Sequence, residues 1–353
     1  MKPHNIKVIQ LTDYQELSTL LVNFNSSTQN SNLFTSTIWL DHWFDFFWQE
    51  DCFLQSYAIY KDEELIALAP FYIKIADTFP FIKTLRLLGQ GEPEQAEVAS
   101  EYLDVLIAVG HEQEVYLQLA TLISNYKFDV MAARAIFSDS HIAKIILKLS
   151  GKRLTKNYAQ HCLFTDNFSL QDISKNTRSR IKRSANQLSK LNAEMRWLTI
   201  NELNTLWPTL IEFHQNRWQN KGEYGAFSSD NFNQFHQMLI KNQSSSVAAS
   251  AVFVNDLPIA IHYYLVGDDT YHFYQSGWDE KNFAKLSPGL FLHYWSIKNC
   301  PKKYYDFMMG GVNNSYKAKF NASARAMLSI TLIKNPIKLF VSKIVNKLTH
   351  PFN

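Results

Sequence analysis

Two groups of residues in the second half of the chain have the types and spacing for chemistry. In the first, Ser287-Pro288-Gly289-Leu290 opens an apolar helix that ends near Cys300-Pro301, with Lys281 and Lys285 just upstream. The first N–H groups of a helix lack intrahelical acceptors, and its dipole favours negative charge there. Ser287, Gly289 and Leu290, backed by the two ammonium groups, therefore form a cradle for an anionic, phosphate-bearing cofactor. An ordinary helix cap is the bland reading, since Ser-Pro-Gly begins many helices. The second group comprises His214, His262, Asp306 and Tyr316, side chains able to take or give a proton. If either histidine is catalytic, a titration in the ordinary imidazole range is expected of it. Arg217 beside Trp218 suits an anionic group, and His262 and Tyr274 lie on strands leading into the cradle, where they could face a substrate.

These residues need a frame. An aromatic strand (Tyr271 to Tyr274), a polar loop, the Ser287 helix and a strand at Tyr304 to Met308 place the cradle between strand and helix. Upstream, Arg178 to Leu191 reads as a basic helix after Ser174, and Leu203 to Trp218 as a long helix that tolerates Pro208 only near its beginning. Val247 to Asn255 and Pro258 to Val266 read as a hairpin across Asn255-Asp256. The first half repeats this grammar, with a buried aromatic helix at Ile38 to Trp48, a hairpin from Gln55 to Ile75, strands at Thr84 to Leu88, Tyr102 to Ile107 and Phe128 to Ala133, and helices at His111 to Asn125 and Ser140 to Leu149. Alternating helices and strands mean an α/β architecture. Its parts are a domain at 1–165, a second at 166–335 and a tail at 336–353.

The chain of 353 residues is 46% hydrophobic, ample for two buried cores. Met1 to Thr165 carries 13 Lys+Arg against 19 Asp+Glu, a net of −6; Asp166 to Asn353 carries 22 against 13, a net of +9. The positive half holds the cradle and would concentrate a phosphorylated donor. Arg178, Arg180, Lys182 and Arg183 form its densest patch, with too few interleaved aromatics for a single-stranded nucleic-acid site. Cys52, Cys162 and Cys300 are far apart, and no His/Cys spacing suggests a metal. The acidic run Glu92, Glu94, Glu97, Glu101 and Asp104 reads as a solvated loop and strand edge. No apolar run or leader pattern speaks for a membrane span or export, so a cytoplasmic protein is expected. In the tail, Ile337, Phe340, Val341, Ile344, Val345 and Leu348 fall near one helical face, away from most of Lys338, Lys343 and Lys347. Such a helix either packs on its own domain or lies on the inner face of a membrane.

The succession FHQNRWQNKGEYGAF, DLPIAIHYYLVGDDTYHFYQSGWDEKNFAKLSPGLFLHYW and YYDFMMGG…YKAKF resembles the GNAT-related acyltransferases of the FemAB-like, CelD-like branch. In the first half, IWLDHWFDFF, ELIALAPFYI, LRLLGQG, EYLDVLI and FDVMAARAIFSDS are similar to that branch as well, so the likeness spans roughly Phe34 to Phe320. The resemblance implies two tandem GNAT-like domains, each a mixed, mostly antiparallel sheet flanked by helices. The first is degenerate and the second catalytic. It implies transfer of an acetyl or other acyl group from acyl-CoA to an amine or hydroxyl of a small molecule or polysaccharide precursor. The attack would be direct, in a ternary complex, without a metal. It also implies that Lys317, after Tyr316, stands at the reacting carbonyl; a solvated strand lysine is the alternative. Where the family has an acidic residue this chain has Val312-Asn313-Asn314-Ser315. An aminoacyl-tRNA donor, or a non-catalytic scaffold in envelope synthesis, are the competing expectations, and the long helical arm of tRNA-using relatives is missing.

Overall fold

Pairs of left-handed residues set the hairpin of each half. Asp62 and Glu63 (φ 48° and 75°) and Asn255 and Asp256 (φ 49° and 61°) give the two-residue turns whose twist matches an antiparallel pair of strands. The computed structural model describes residues 5–24, 28, 30–166, 168–312 and 316–349. The chain divides into two units: residues 1–91, 99–158 and 326–353, and residues 92–98 with 159–325. Both are α/β, with mixed, mostly antiparallel strands flanked by helices.

In the first unit β1 (Ile6–Leu11), α1 (Tyr14–Phe24) and α2 (Thr37–Phe47) precede β2 (Cys52–Leu54) and the hairpin β3 (Ser56–Lys61) to β4 (Glu64–Ala69). Then come β5 (Phe71–Ile75), β6 (Lys83–Leu87), β7 (Leu106–Ile107), α3 (Glu112–Asn125), β8 (Val130–Phe137) and α4 (His141–Lys148). One sheet runs β1-β3-β4-β7; in the other, β8, β6, β5 and β2 stand side by side, β6 parallel to β8. Trp39 and Trp43 of α2 are buried, as apolar residues on several helical faces require.

β9 (Lys152–Phe164) leads into the second unit. There α5 (Lys175–Lys190), β10 (Glu194–Trp197), α6 (Ile200–Gln219) and α7 (Asp230–Asn242) precede the hairpin β11 (Val247–Val254) to β12 (Leu257–Val266). β13 (Thr270–Trp278), the short α8 (Glu280–Phe283), α9 (Pro288–Lys298) and β14 (Tyr304–Gly310) complete it. The strand order is β10-β11-β12-β13-β14-β9, antiparallel except between β13 and β14. Tyr264, Leu292, Tyr305, Phe307 and Phe320 form the centre of its core. β15 (Ser323–Ile333) returns to pair with β8, and α10 (Pro336–Thr349) ends the described chain.

Three sequence expectations are corrected. The strand expected at Tyr102 to Ile107 shrinks to Leu106–Ile107. Tyr102 is left-handed (φ 60°), and the Asp104 carboxylate instead accepts the N–H groups of His141 and Ile142 at 3.0 and 2.7 Å, capping α4. The acidic run is accordingly solvated only in part: Glu94 is exposed, but Glu92, Glu101 and Asp104 are buried, Glu92 accepting the Val98 N–H at 3.0 Å. Finally, a Thr199/Glu202 capping box moves the start of α6 to Ile200. Pro208 thus sits in the third turn, within an unbroken helix.

Gly277 of β13 lets α6 approach. A Cβ there would lie 2.6 Å from Phe213 Cβ and 2.9 Å from both the His214 nitrogen and the Leu210 oxygen. Gly277→Ala should therefore destabilise the protein by about 1–3 kcal/mol, the usual cost of overpacking. Urea unfolding checks this, and an unchanged midpoint would mean that α6 does not lie so close.

Candidate active site

A break in β14 creates the site. β13 and β14 share a ladder only from Thr270–His272 to Tyr304–Asp306. Past it, β14 shifts register against β9 between Asp306 and Met309, and Met308 is left-handed, φ 62°. A bulge of this kind bends a strand, and the two parallel strands part. Two side chains brace the bulge. Lys317 Nζ donates to the carbonyls of Phe307, Met308 and Met309, the last at 2.6 Å. Asp306 Oδ1 accepts the Met308 N–H at 2.8 Å, while its Oδ2 accepts from Gln160 Nε2 (2.9 Å) and His272 Nδ1 (3.0 Å). Burial opposes ionisation of Asp306, yet the hydrogen bonds from His272, Gln160 and Met308 outweigh it and hold the carboxyl below its usual range.

Beside the parted strands lies a cavity of about 490 Å³, the size of a small-ligand site. β13 contributes Phe273, Gln275 and Ser276, and α9 contributes Ser287, Gly289 and Leu290 at its lip. Ser287 is left-handed (φ 51°) and its carbonyl takes the N–H groups of Leu290 and Phe291 at 3.1 and 3.3 Å. Pro288 has no N–H, so Gly289 carries the first-turn amide not committed to that carbonyl. α5 packs on α9, with Ser184 Oγ 3.5 Å from the Ser287 oxygen, and brings Arg180 to the cavity wall. Arg217 and Lys221 add two further cations, Arg217 standing 3.8 Å from Glu280.

The floor holds two histidines with ring centroids 4.4 Å apart. His262 Nδ1 meets the Tyr264 hydroxyl at 3.2 Å, and His293 Nδ1 meets the Tyr305 hydroxyl at 2.9 Å. The Tyr264 hydroxyl continues to Ser250 Oγ (3.1 Å) and thence to Ser296 Oγ (2.9 Å). With each Nδ1 committed to a buried phenol, Nε2 is the nitrogen left to the cavity; that of His262 lies 3.8 Å from where a Cβ on Gly289 would be. Burial pushes His262 down to about 3, and His293 well below the ordinary imidazole value. Both rings are therefore neutral at pH 7.

Nine of the thirteen residues singled out from sequence line this one cavity: Tyr316, His214, Ser287, Gly289, Leu290, Arg217, Trp218, His262 and Tyr274. Four do not. Lys281 and Lys285 lie off the lip, whose cations come instead from Arg180, Arg217 and Lys221. Asp306 and Lys317 brace the bulge, and Lys317 begins a short 3-10 turn, Lys317–Phe320, rather than sitting in a strand. Tyr274 presents its ring, but its hydroxyl is engaged, donating to the Val98 carbonyl at 2.8 Å and meeting His236 Nε2 at 3.0 Å. Sequence reasoning missed His293, whose signal was a lone imidazole in the apolar run LFLHYW: a buried polar group needs a partner. Asn313–Ser315, where the resemblance expects an acidic residue, lie outside the described residues. Burial pushes His214 down to about 4 and His262 further, below the ordinary imidazole range expected of a catalytic histidine.

Residues 175–318 match the acetyltransferase (GNAT) domain family. Among solved structures, FemX superposes with a TM-score of 0.60 at 10% identity, covering 97% of this chain and 99% of its own. A tandem GNAT protein from the clavulanic acid biosynthesis pathway gives 0.50 at 8%, covering 94% and 99%. L-PGS from Bacillus licheniformis gives 0.50 at 11%, covering 94% and 96%. No curated protein sequence matches. The fold is thus the GNAT acyltransferase fold, in tandem.

The buried imidazoles make stability depend on pH. His214, His236, His262 and His293 all have folded values depressed by burial from 6.5. Below 6.5 the unfolded chain takes up protons that the folded one refuses, so stability is lost as pH falls from 6.5 towards about 4 for His214 and about 3 for His236 and His262. Each such group contributes up to ~1.4 kcal/mol per pH unit. Urea unfolding should give a free energy several kcal/mol lower at pH 5 than at pH 7; equal values would mean that these rings are solvated.

Proposed function

We propose that the chain transfers an acyl group from acyl-CoA to an amine or hydroxyl acceptor, in the second unit. The observation that carries this is the meeting, in one cavity, of the first turn of α9, the cations Arg180, Arg217 and Lys221, and the bare Nε2 edges of His262 and His293. A diphosphate fits the lip, where the Gly289 amide, the helix dipole and the Arg180 guanidinium converge. An extended pantetheine arm fits along the strand edge that β13 offers where β14 leaves it. When bound, the donor supplies an activated carbonyl and a thiolate leaving group.

The chain's own part is positioning and proton transfer. A neutral imidazole with Nδ1 hydrogen-bonded to a phenol is oriented, and its Nε2 can take the acceptor's proton. The phenols Tyr264 and Tyr305 are held protonated by burial, and the oxygen of each can accept the ring's Nδ1–H, the tautomer that leaves Nε2 unprotonated. His214 is less suited: its Nδ1 meets Gln215 Oε1 at 3.2 Å, and Gln275 also engages the ring. A thiol intermediate finds no support, since burial pushes the Cys52 and Cys300 thiols to about 11 and Cys162 higher still. The acceptor class drawn from the resemblance, a polysaccharide or envelope precursor, is part of the proposal, as is a cytoplasmic setting.

A second reading, with aminoacyl-tRNA as donor, is favoured by the basic face of α5 around Arg178–Arg183 and by the whole-chain likeness to FemX. The donors separate by calorimetry. Acetyl-CoA should bind, and Arg180→Glu with Gly289→Asp should weaken it at least about tenfold by placing two carboxylates at the phosphate site. His293→Asn should leave donor affinity within about twofold and lower kcat by ~10²-fold or more. Acetyl-CoA affinity unmoved by the double variant would overturn the donor site. Steeply salt-dependent tRNA binding without CoA binding would favour the second reading.

A further inference from the structure

Helix α10 turns apolar residues outward. Ile337, Phe340 and Ile344 are 77%, 64% and 44% exposed, spaced three and four apart so that they form one stripe. The helix is nevertheless docked within the first unit by its other face. Ser342 is buried, the Lys334 and Asn335 N–H groups donate to the Asp129 carbonyl, and Lys338 Nζ donates to Asp129 Oδ2 at 2.6 Å. The same ammonium donates to the Phe81 carbonyl at 3.1 Å, tying the helix to the turn between β5 and β6. That turn carries Phe79 and Phe81, 61% and 52% exposed, with rings edge to face at 6.2 Å. Five large apolar side chains on two adjoining elements exceed the scattered exposure of an ordinary surface. Beside them Lys343 of α10 is exposed, the helix carries no acidic residue, and Lys83 is exposed after the turn. Asp77 is the exposed acid of that turn.

We infer that this surface docks on an anionic lipid bilayer, with Ile337, Phe340, Ile344 and the Phe79/Phe81 turn entering the acyl boundary and Lys83 and Lys343 meeting headgroup phosphates. The apolar stripe, with the exposed cations Lys83 and Lys343 beside it against the turn's single acid Asp77, matches a headgroup-level interface rather than a neutral protein groove. Among the described residues no helix is long and apolar enough to cross a membrane, so the contact is with one leaflet. The surface is built from the first unit alone and does not depend on the proposed chemistry.

Sedimentation of the full chain with vesicles tests this. Vesicles of mixed phosphatidylglycerol and phosphatidylcholine should carry the protein down, pure phosphatidylcholine far less, and added salt should release it. Ile337→Ser with Phe340→Ser, and separately Phe79→Ser with Phe81→Ser, should each weaken binding at least about tenfold. Lys343→Glu, an exposed change that leaves the apolar stripe intact, should weaken binding to the anionic vesicles alone. Wild-type protein that stays in solution with anionic vesicles, or folded variants that bind as well as wild type, would overturn the inference. So would a dimer in light scattering that the Ile337/Phe340 variant splits while vesicle binding is absent, since a second copy would then be the occupant.

Discussion

The bulge at Met308 is the constraint on which the site depends. A non-glycine residue held in the left-handed region is costly, by about 1–3 kcal/mol, and persists only where its surroundings over-determine it. Here they do so from both sides. Lys317 spans three successive carbonyls, and Asp306 takes the Met308 N–H. The consequence is topological. Parallel strands that would otherwise zip together part after three residue pairs, and the opened edge of β13 becomes one wall of a cavity instead of a ladder.

Around that opening, charge and neutrality are sorted by depth. Guanidinium and ammonium groups of Arg180, Arg217 and Lys221 stand at the walls, where solvent supports them. The floor is built of imidazoles and phenols whose ionisation burial suppresses. A negatively charged donor of the kind proposed would be attracted to the rim, and proton exchange would be left to groups below it. Neutral rings at the floor also keep repulsion between His262 and His293 low, although their centroids are only 4.4 Å apart. Protonating one would disfavour protonating the other.

Much of this was legible in the residues. The Asn255-Asp256 turn, the Ser-Pro-Gly start of α9 and the aromatic strand β13 announced themselves through local chemistry. The long strands β9 and β15 did not. Lys152 to Asn157 of β9 is exposed and, apart from Leu154, polar, without the alternation that marks a half-buried strand. Asp306 and Lys317 drew attention by type and neighbourhood, but their bracing role depends on a left-handed methionine, which no residue type advertises. Likewise the cation at the α9 lip comes from Arg180, more than a hundred residues upstream, rather than from Lys281 or Lys285 close by. Local sequence gives the elements; which side chains meet is decided by the packing of α5 against α9.

The stripe on α10 extends the same lesson to the first unit, where an apolar pattern visible in sequence is divided by packing. Part of it is covered, and part is turned to solvent beside Phe79 and Phe81. The central claim remains the donor site of the second unit, and a crystal structure of the protein soaked with acetyl-CoA tests it most directly. The account predicts diphosphate density between the Gly289 amide and the Arg180 guanidinium, with the sulfur between the parted strands above His262 and His293. Density for the nucleotide in the first unit only, or none at a concentration that saturates calorimetry, would contradict it.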